Sequence, residues 1–323
     1  MSHELYTTIP EVNKKMSRIL LGTGAIPENV NADEWLSSMY DIGINAIDTA
    51  RVYGSSEKTI GNWLQKTGLR ENIVILSKCG HPLGPIKRIG RRAMMSDLKK
   101  SLKYLQTDYI DIYLLHRDNV EVPVSTIIET FNEMKSNGYI RAFGGSNWTH
   151  QRIEEANEYA YKKGLDPFAV SSPNFGLADQ IGVMWDDSCV TISGKKQQEA
   201  RDWYKEKQMP VVAYSSLGRG LFSGRLKSSD SQNADKYLDS YAMKGYAYPE
   251  NFERLKRCEI LAQKKEVTVA QIAMAWIFNQ GMDMYAVVST SSAARMQSNI
   301  DALDIKLSEK ECRYLDLLED GYL

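Results

Sequence analysis

Short apolar runs alternate with longer amphipathic stretches along this 323-residue chain, and that alternation limits the fold more than any other feature. The runs at 19–21, 44–47, 73–77, 109–115, 140–146, 168–172, 211–214 and 285–289 are of strand length and mostly apolar throughout, as expected of strands buried on both faces. Between them lie segments with helical periodicity at 33–40, 56–64, 91–105, 123–137, 149–163, 195–207, 252–265 and 268–280, and two more follow at 293–303 and 308–319. In 91–105, for example, Leu98, Leu102 and Leu105 share one face. Repeated βα units predict a parallel sheet with helices outside it.

Two architectures satisfy that pattern. A doubly wound dinucleotide-binding sheet would carry a G-x-G-x-x-G turn after its first strand. Gly22-Thr23-Gly24-Ala25 stands at that place without the third glycine or an immediate helix. No linker or change of composition breaks the chain. The reading is therefore one domain over 1–323, a single (β/α)8 TIM barrel with extra C-terminal helices and long substrate loops. The long connections are 174–194 and 223–251. The second is rich in Ser, Asp, Lys and Tyr, and its Tyr-rich part at 237–248 reads either as an aromatic wall over a binding site or as a disordered surface excursion.

Composition narrows the function classes. The net charge of −1 predicts no footprint for nucleic acid or an acidic membrane, and no apolar run has the length of a bilayer span. The first residues lack a signal-peptide core, so a cytoplasmic address is expected. The four cysteines are scattered and read as reduced thiols. Cys79 and His81 form a C-x-H without further ligands, so no metal is expected there.

In a barrel of this kind, chemistry belongs at the carboxyl ends of the strands. Asp48, Lys78 and His116 close the second, third and fourth runs, and Tyr53 follows Asp48 in the next turn. Each residue alone has an ordinary structural use: a cap, a solvent-reaching amine, a hydrogen-bonded imidazole, a packed ring. Together they make a set. A phenol with a pKa near ~10 is a poor acid at neutral pH, and a buried ammonium beside it favours the phenolate. A carboxylate would keep that ammonium charged, and an imidazole can orient a substrate oxygen. The helix starting near Ser56, with Glu57 in its first turn, is read as structural.

These residues carry a family resemblance. Asp48-Thr49-Ala50-Arg51-Val52-Tyr53-Gly54, Ser77-Lys78, Leu114-Leu115-His116-Arg117, the run from Gly138 to Asn147, the turn from Tyr214 to Gly220, and Arg295 with Asn299 together resemble the aldo-keto reductases, in order from 19 to 303. The resemblance implies a barrel that binds NADP(H), with NAD(H) less favoured, and that reduces aldehydes or ketones to alcohols. It implies Tyr53 as proton donor, Asp48 and Lys78 as its electrostatic support, and His116 orienting the carbonyl.

It further implies Gly22, Thr23 and Asp48 beside the cofactor and Ser146 and Asn147 at its carboxamide. Tyr214 would stack on the nicotinamide, and Ser215, Leu217, Arg219 and Gly220 would line the pyrophosphate. Ser289, Thr290, Arg295 and Asn299 would surround the adenosine end. Trp148 joins Tyr53 and His116 on the substrate side, and Phe175, Trp185 and the 237–248 region are candidate walls.

Two positions depart from the family pattern. Ser172 stands where glutamine is common, implying a shorter or water-mediated amide contact. No cation lies near Ser289, which leaves Arg295 to pair with a 2′-phosphate. The expected partner is a small carbonyl compound, in a monomer or homo-oligomer. Two rival readings follow. One is a cofactor-binding regulatory subunit with slow turnover, which the four strand-end residues do not exclude. The other is a barrel hydrolase, which requires paired carboxylates such as Asp118 and Asp186.

Overall fold

The computed structural model describes residues 4–24, 26, 30–84, 86–185 and 188–321. Asp186, one of the two acids of the hydrolase reading, and Ala25 lie outside the described residues. A short antiparallel hairpin, β1 (Tyr6–Thr8) and β2 (Lys15–Ser17), opens the chain. The strands β3 (Ile19–Gly22), β4 (Ala46–Asp48), β5 (Val74–Cys79), β6 (Ile110–Leu115), β7 (Ile140–Ser146), β8 (Val170–Ser172), β9 (Val211–Ala213) and β10 (Met284–Val288) then close into a barrel in the order β10-β3-β4-β5-β6-β7-β8-β9. Each lies within about two residues of an apolar run read from the sequence, and the (β/α)8 expectation holds.

The helices between strands are α1 (Ala32–Asp41), α2 (Ser56–Thr67), α3 (Arg91–Leu105), α4 (Val124–Ser136), α5 (His150–Lys163) and α6 (Gln198–Lys207). Beyond β9 come α7 (Ser240–Tyr246), α8 (Pro249–Lys265) and α9 (Val269–Phe278), and beyond β10 come α10 (Ala293–Asp301) and α11 (Glu309–Leu315). Local chemistry sets their ends. Thr268 and Ser308 make reciprocal capping boxes with Gln271 and Glu311, and Gly68 and Gly164 close α2 and α5 in the left-handed region.

Contacts divide the chain into two compact units, one of Tyr6–Ser172 with Ser289–Ala293, the other built mainly on Pro173–Val288 and the C-terminal helices. In the first, strands β3 to β8 pair in parallel, and the register sets Gly22 opposite Asp48, Lys78 opposite Leu114, and Ser146 opposite Ser172. The hairpin covers the amino ends of these strands. Asn45, just before β4, accepts from the Ser17 amide and donates to the Lys15 carbonyl, while Lys14 donates to the Ile73 carbonyl. Beneath it the fully buried Asp111 faces Lys14 at 3.2 Å, Arg70 at 2.9 Å and Arg141 at 3.9 Å.

Two glycines of β7, which by propensity weaken a strand, are required by packing. A Cβ on Gly144 would lie 1.8 Å from the Val170 carbonyl oxygen, and one on Gly145 would lie 2.6 Å from the Trp148 ring.

In the second unit, β9 and β10 pair in parallel, and α8 packs on α9 and α11. The 223–251 stretch is ordered. It forms a 3-10 segment at Ser228–Lys236 and then α7, whose N-cap Asp239 accepts from the Ala242 amide. Leu226 and Ala234 are buried, and so are Leu238, Ala242 and Tyr246 within 237–248, so the reading of that part as a disordered excursion does not hold. Four of these anchors recur every fourth residue, but two of them are alanines, too small to stand out as an apolar face among the polar residues between them. No described helix is long and apolar enough to cross a membrane.

Candidate active site

The carboxyl ends of β4, β5 and β6 bring three chemistry-bearing side chains together. Asp48 ends β4, Lys78 is the penultimate residue of β5, and His116 follows β6 directly. All three are almost fully buried. Lys78 Nζ donates to Asp48 Oδ2 and, at 3.0 Å, to the Thr49 carbonyl. Its ammonium lies 5.3 Å from the centre of the half-buried Tyr53 ring. That ring meets His116 edge-on at 5.7 Å, and His116 in turn meets His81 at 4.9 Å.

Backbone hydrogen bonds fix the loop that carries Tyr53. The Thr49 amide donates to Leu76 and the Arg51 amide to Lys78, so the loop is stitched to β5. The Tyr53 carbonyl accepts from the Ser56 amide where α2 begins. Ser55 is the N-cap of α2 but makes no side-chain cap bond. Ser56 instead shares its hydroxyl with Thr49 at 2.8 Å and Thr23 at 2.6 Å, tying the helix start to the ends of β3 and β4.

The electrostatics follow from this burial. Burial opposes the charge on Lys78, but the Asp48 carboxylate and the Tyr53 phenol more than offset it and hold its pKa above the ordinary lysine value. For Tyr53 the balance runs the other way. Burial pushes the phenol above its ordinary 10, and Lys78 opposes the push without reversing it. The expectation of a net downward shift on this phenol is therefore not met, because burial outweighs the neighbouring ammonium. Such a phenol is fully protonated at neutral pH. His116 is held well below the usual imidazole range by burial, then by the cations Lys78 and Arg117 and by His81, so it is neutral.

The other sequence-derived positions in the first unit fall beside this group. Gly22 ends β3, and Thr23 donates from both its amide and its hydroxyl to the Asp48 carbonyl. Ser146 Oγ donates to the Ser172 carbonyl at 2.9 Å, and Asn147 Nδ2 donates to the His116 carbonyl at 3.1 Å. Ser172 Oγ and His116 Nδ1 are buried and make no hydrogen bond with the described residues. Buried polar atoms without partners are costly and mark places where a ligand can supply them.

Trp148 is 1% exposed and packs at 5.0 Å on Phe168, which makes it a supporting ring rather than an exposed wall. Ser289 is exposed, and the Thr290 carbonyl accepts from Trp35 Nε1 at 2.9 Å.

In the second unit, Tyr214 lies just past β9 and its ring is 6.1 Å from Trp185. Ser215 begins the turn, its carbonyl accepting from the Gly218 amide, and the Leu217 carbonyl accepts from Gly220. Arg219 pairs with Asp239 at 2.6 Å, and its guanidinium lies 5.4 Å from Trp185 and 5.5 Å from Tyr241. Asn299 is buried and donates to the Arg295 carbonyl, and Arg295 itself is exposed. Phe175 is fully buried against Trp276. Asn147, Ser215 and Arg219 have φ of 61°, 58° and 51°. Non-glycine residues held in the left-handed region cluster at binding sites, where surrounding structure compensates the strain.

Sequence reasoning missed two contacts. The Asp239 partner of Arg219 lies in the 223–251 stretch, and no local signal pointed to it. Glu57 is the other: it stands with Ile60, Gly61 and Leu64 at i, i+3, i+4 and i+7, the buried face of α2, and that spacing was a readable sign of a buried carboxylate. Asp118, the remaining acid of the hydrolase reading, is occupied by Arg152 at 3.3 Å and by the Asn119 amide. No group of three or more metal-binding side chains occurs among the described residues.

The model of the Aldo/keto reductase family matches residues 18–320, and the chain belongs to that family. It is 27% identical over 288 residues to aldo-keto reductase yakc of Schizosaccharomyces pombe, whose name gives NADP(+), covering 85% of this chain and 78% of the relative. It is 26% identical over 294 residues to aldo-keto reductase YhdN of Bacillus subtilis, covering 85% and 81%. Among solved structures, a glycerol dehydrogenase from Gluconobacter oxydans superposes with a TM-score of 0.77 at 22% identity over 97% of this chain and 94% of that one, a likeness of fold.

Proposed function

We propose that this protein is an NADP(H)-dependent reductase of aldehydes or ketones in which Tyr53 is the general acid. The observation that carries the reading is the buried Lys78 ammonium, bonded to Asp48 and placed beside the Tyr53 ring, which itself abuts a neutral His116. When bound, a reduced nicotinamide supplies the hydride that the carbonyl carbon takes up. Tyr53 Oη gives its proton to the carbonyl oxygen, and the Lys78 ammonium stabilises the phenolate left behind. Asp48 keeps Lys78 charged as that proton leaves. Neutral His116 retains one N–H donor with which to hold the carbonyl oxygen in line.

The partnerless Ser172 hydroxyl supports a carboxamide contact there, together with Ser146 and Asn147. Tyr214, Ser215, Leu217, Arg219 and Gly220 are proposed for the ring face and pyrophosphate, and Ser289, Thr290, Arg295 and Asn299 for the adenosine end. The strained backbone at Asn147, Ser215 and Arg219 accords with that assignment. The proposed substrate is a small carbonyl compound met by Tyr53 and His116. Arg295 is proposed as the 2′-phosphate partner.

The test is fluorescence titration with NADPH and NADH together with turnover on a panel of aldehydes. Wild type is expected to bind NADPH more tightly than NADH and to reduce members of the panel. Arg295→Ala should weaken NADPH binding by about 1.5–3 kcal/mol, the worth of a hydrogen bond to a charged group, and leave NADH binding nearly unchanged. Equal loss for both cofactors would contradict the 2′-phosphate assignment.

A further inference from the structure

The reaction as derived uses Asp48, Tyr53, Lys78 and His116, and it leaves another buried carboxylate close to them in the chain, Glu57, without a task. Glu57 lies in the first turn of α2, where an acid ordinarily faces solvent and serves the helix dipole. Here its side chain is wholly buried. Oε2 is bonded to Arg51 Nη1 at 2.5 Å, and Oε1 accepts from Ser77 Oγ at 2.8 Å.

Both partners are neighbours of the reacting groups in the chain. Arg51 lies in the loop between Asp48 and Tyr53, and Ser77 immediately precedes Lys78 on β5. The Arg51 amide also donates to the Lys78 carbonyl at 3.0 Å, so the loop and strand touch at the level Glu57 bridges. The outer side of Arg51 is covered by the Tyr104 ring, 4.5 Å from the guanidinium, on α3. Gly61, on the same face of α2 as Glu57, permits that close helix contact, because a Cβ there would lie 2.2 Å from the Tyr104 carbonyl oxygen.

We infer that Glu57 is a positioning residue: through Arg51 and Ser77 it sets the Tyr53 loop against the Lys78 strand, so that phenol and ammonium keep the spacing proton transfer needs. A buried carboxylate is costly unless fully partnered, and a helix cap alone does not call for one. Its two bonds reach the two segments whose separation determines how strongly Lys78 stabilises a Tyr53 phenolate. Displacing a catalytic group by ~1 Å costs about 10²-fold in rate. The inference rests on the reading of Tyr53 as the acid.

The experiment compares wild type, Glu57→Ala, Glu57→Gln, Arg51→Met, Ser77→Ala and Tyr53→Phe for kcat on an aldehyde, NADPH affinity, the primary isotope effect with NADPH deuterated at both C4 positions, and Tm. Kinetics are run well below each Tm. Glu57→Ala is expected to lose about 10²-fold in kcat, with NADPH affinity unchanged and a larger isotope effect as the chemical step becomes limiting. Glu57→Gln, which keeps the shape and can bond both partners, should recover most of that loss. Should Glu57→Ala fail to fold, Arg51→Met and Ser77→Ala each remove one arm and should show the same pattern in smaller measure. A fall in Tm with kcat unchanged in all these variants would overturn the inference and leave Glu57 a purely structural residue. If Tyr53→Phe retained wild-type kcat, the general-acid reading itself would fail, a result distinct from the first.

Discussion

The state of each group in the Asp48–Tyr53–Lys78–His116 cluster is decided by burial as much as by its neighbours. Lys78 stays charged because Asp48 touches it, while Tyr53 stays protonated because desolvation outweighs Lys78. His116 has a consequence for stability. Its folded-state pKa lies well below the ordinary value of 6.5, so below pH 6.5 the unfolded chain binds a proton that the folded chain does not. Stability from this residue is therefore present above pH 6.5 and is lost as pH falls toward the folded value, at up to about 1.4 kcal/mol per pH unit. Urea unfolding of wild type between pH 7.5 and 5 should show that slope, and His116→Gln should reduce it. An identical slope in the variant would place the acid sensitivity elsewhere. Three of the four residues were legible in the sequence because each closes an apolar run, and Tyr53 because it follows Asp48 in the next turn. The direction of the Tyr53 shift was not, because it depends on how deeply the ring is covered.

Elements whose packing face is periodic were read closely. Helix α3 spans the residues its leucine spacing marked, and β7 keeps its expected bounds despite two glycines. What the sequence could not convey was why those glycines are there: β8 approaches so closely at Gly144 that no side chain fits. Gly144→Ala forces a Cβ against backbone that cannot rotate away, and the expected cost is about 3 kcal/mol, the upper range for overpacking. Thermal or urea unfolding of the variant measures it, and a change under about 0.5 kcal/mol, the scale of a neutral surface substitution, would mean the strands separate more easily than the packing indicates. The β1–β2 hairpin and α7 were not read from the sequence for a different reason. Their strands and helix are very short, and long-range bonds such as those of Asn45 to Ser17 and Tyr246 to Asn174 hold them.

At the scale of the whole molecule, the closed barrel and the family membership were both legible in the sequence, through the ordered recurrence of strand ends. The amino end of the first unit is organised for stability, with the hairpin over β4–β6 and the buried Asp111 among three cations. The carboxyl ends of β4, β5 and β6 carry Asp48, Lys78 and His116, the division of labour expected of such barrels. The central claim is that this rim passes hydride to a carbonyl while Tyr53 supplies the proton. The most direct measurement incubates the protein with an aldehyde and NADPH deuterated at both C4 positions of the nicotinamide, then examines the alcohol by mass spectrometry. The account predicts one deuterium on the carbinol carbon from wild type, and a rate about 10²–10⁴-fold lower from Tyr53→Phe at unchanged cofactor affinity. An alcohol without deuterium, or a Tyr53→Phe variant as fast as wild type, would contradict it.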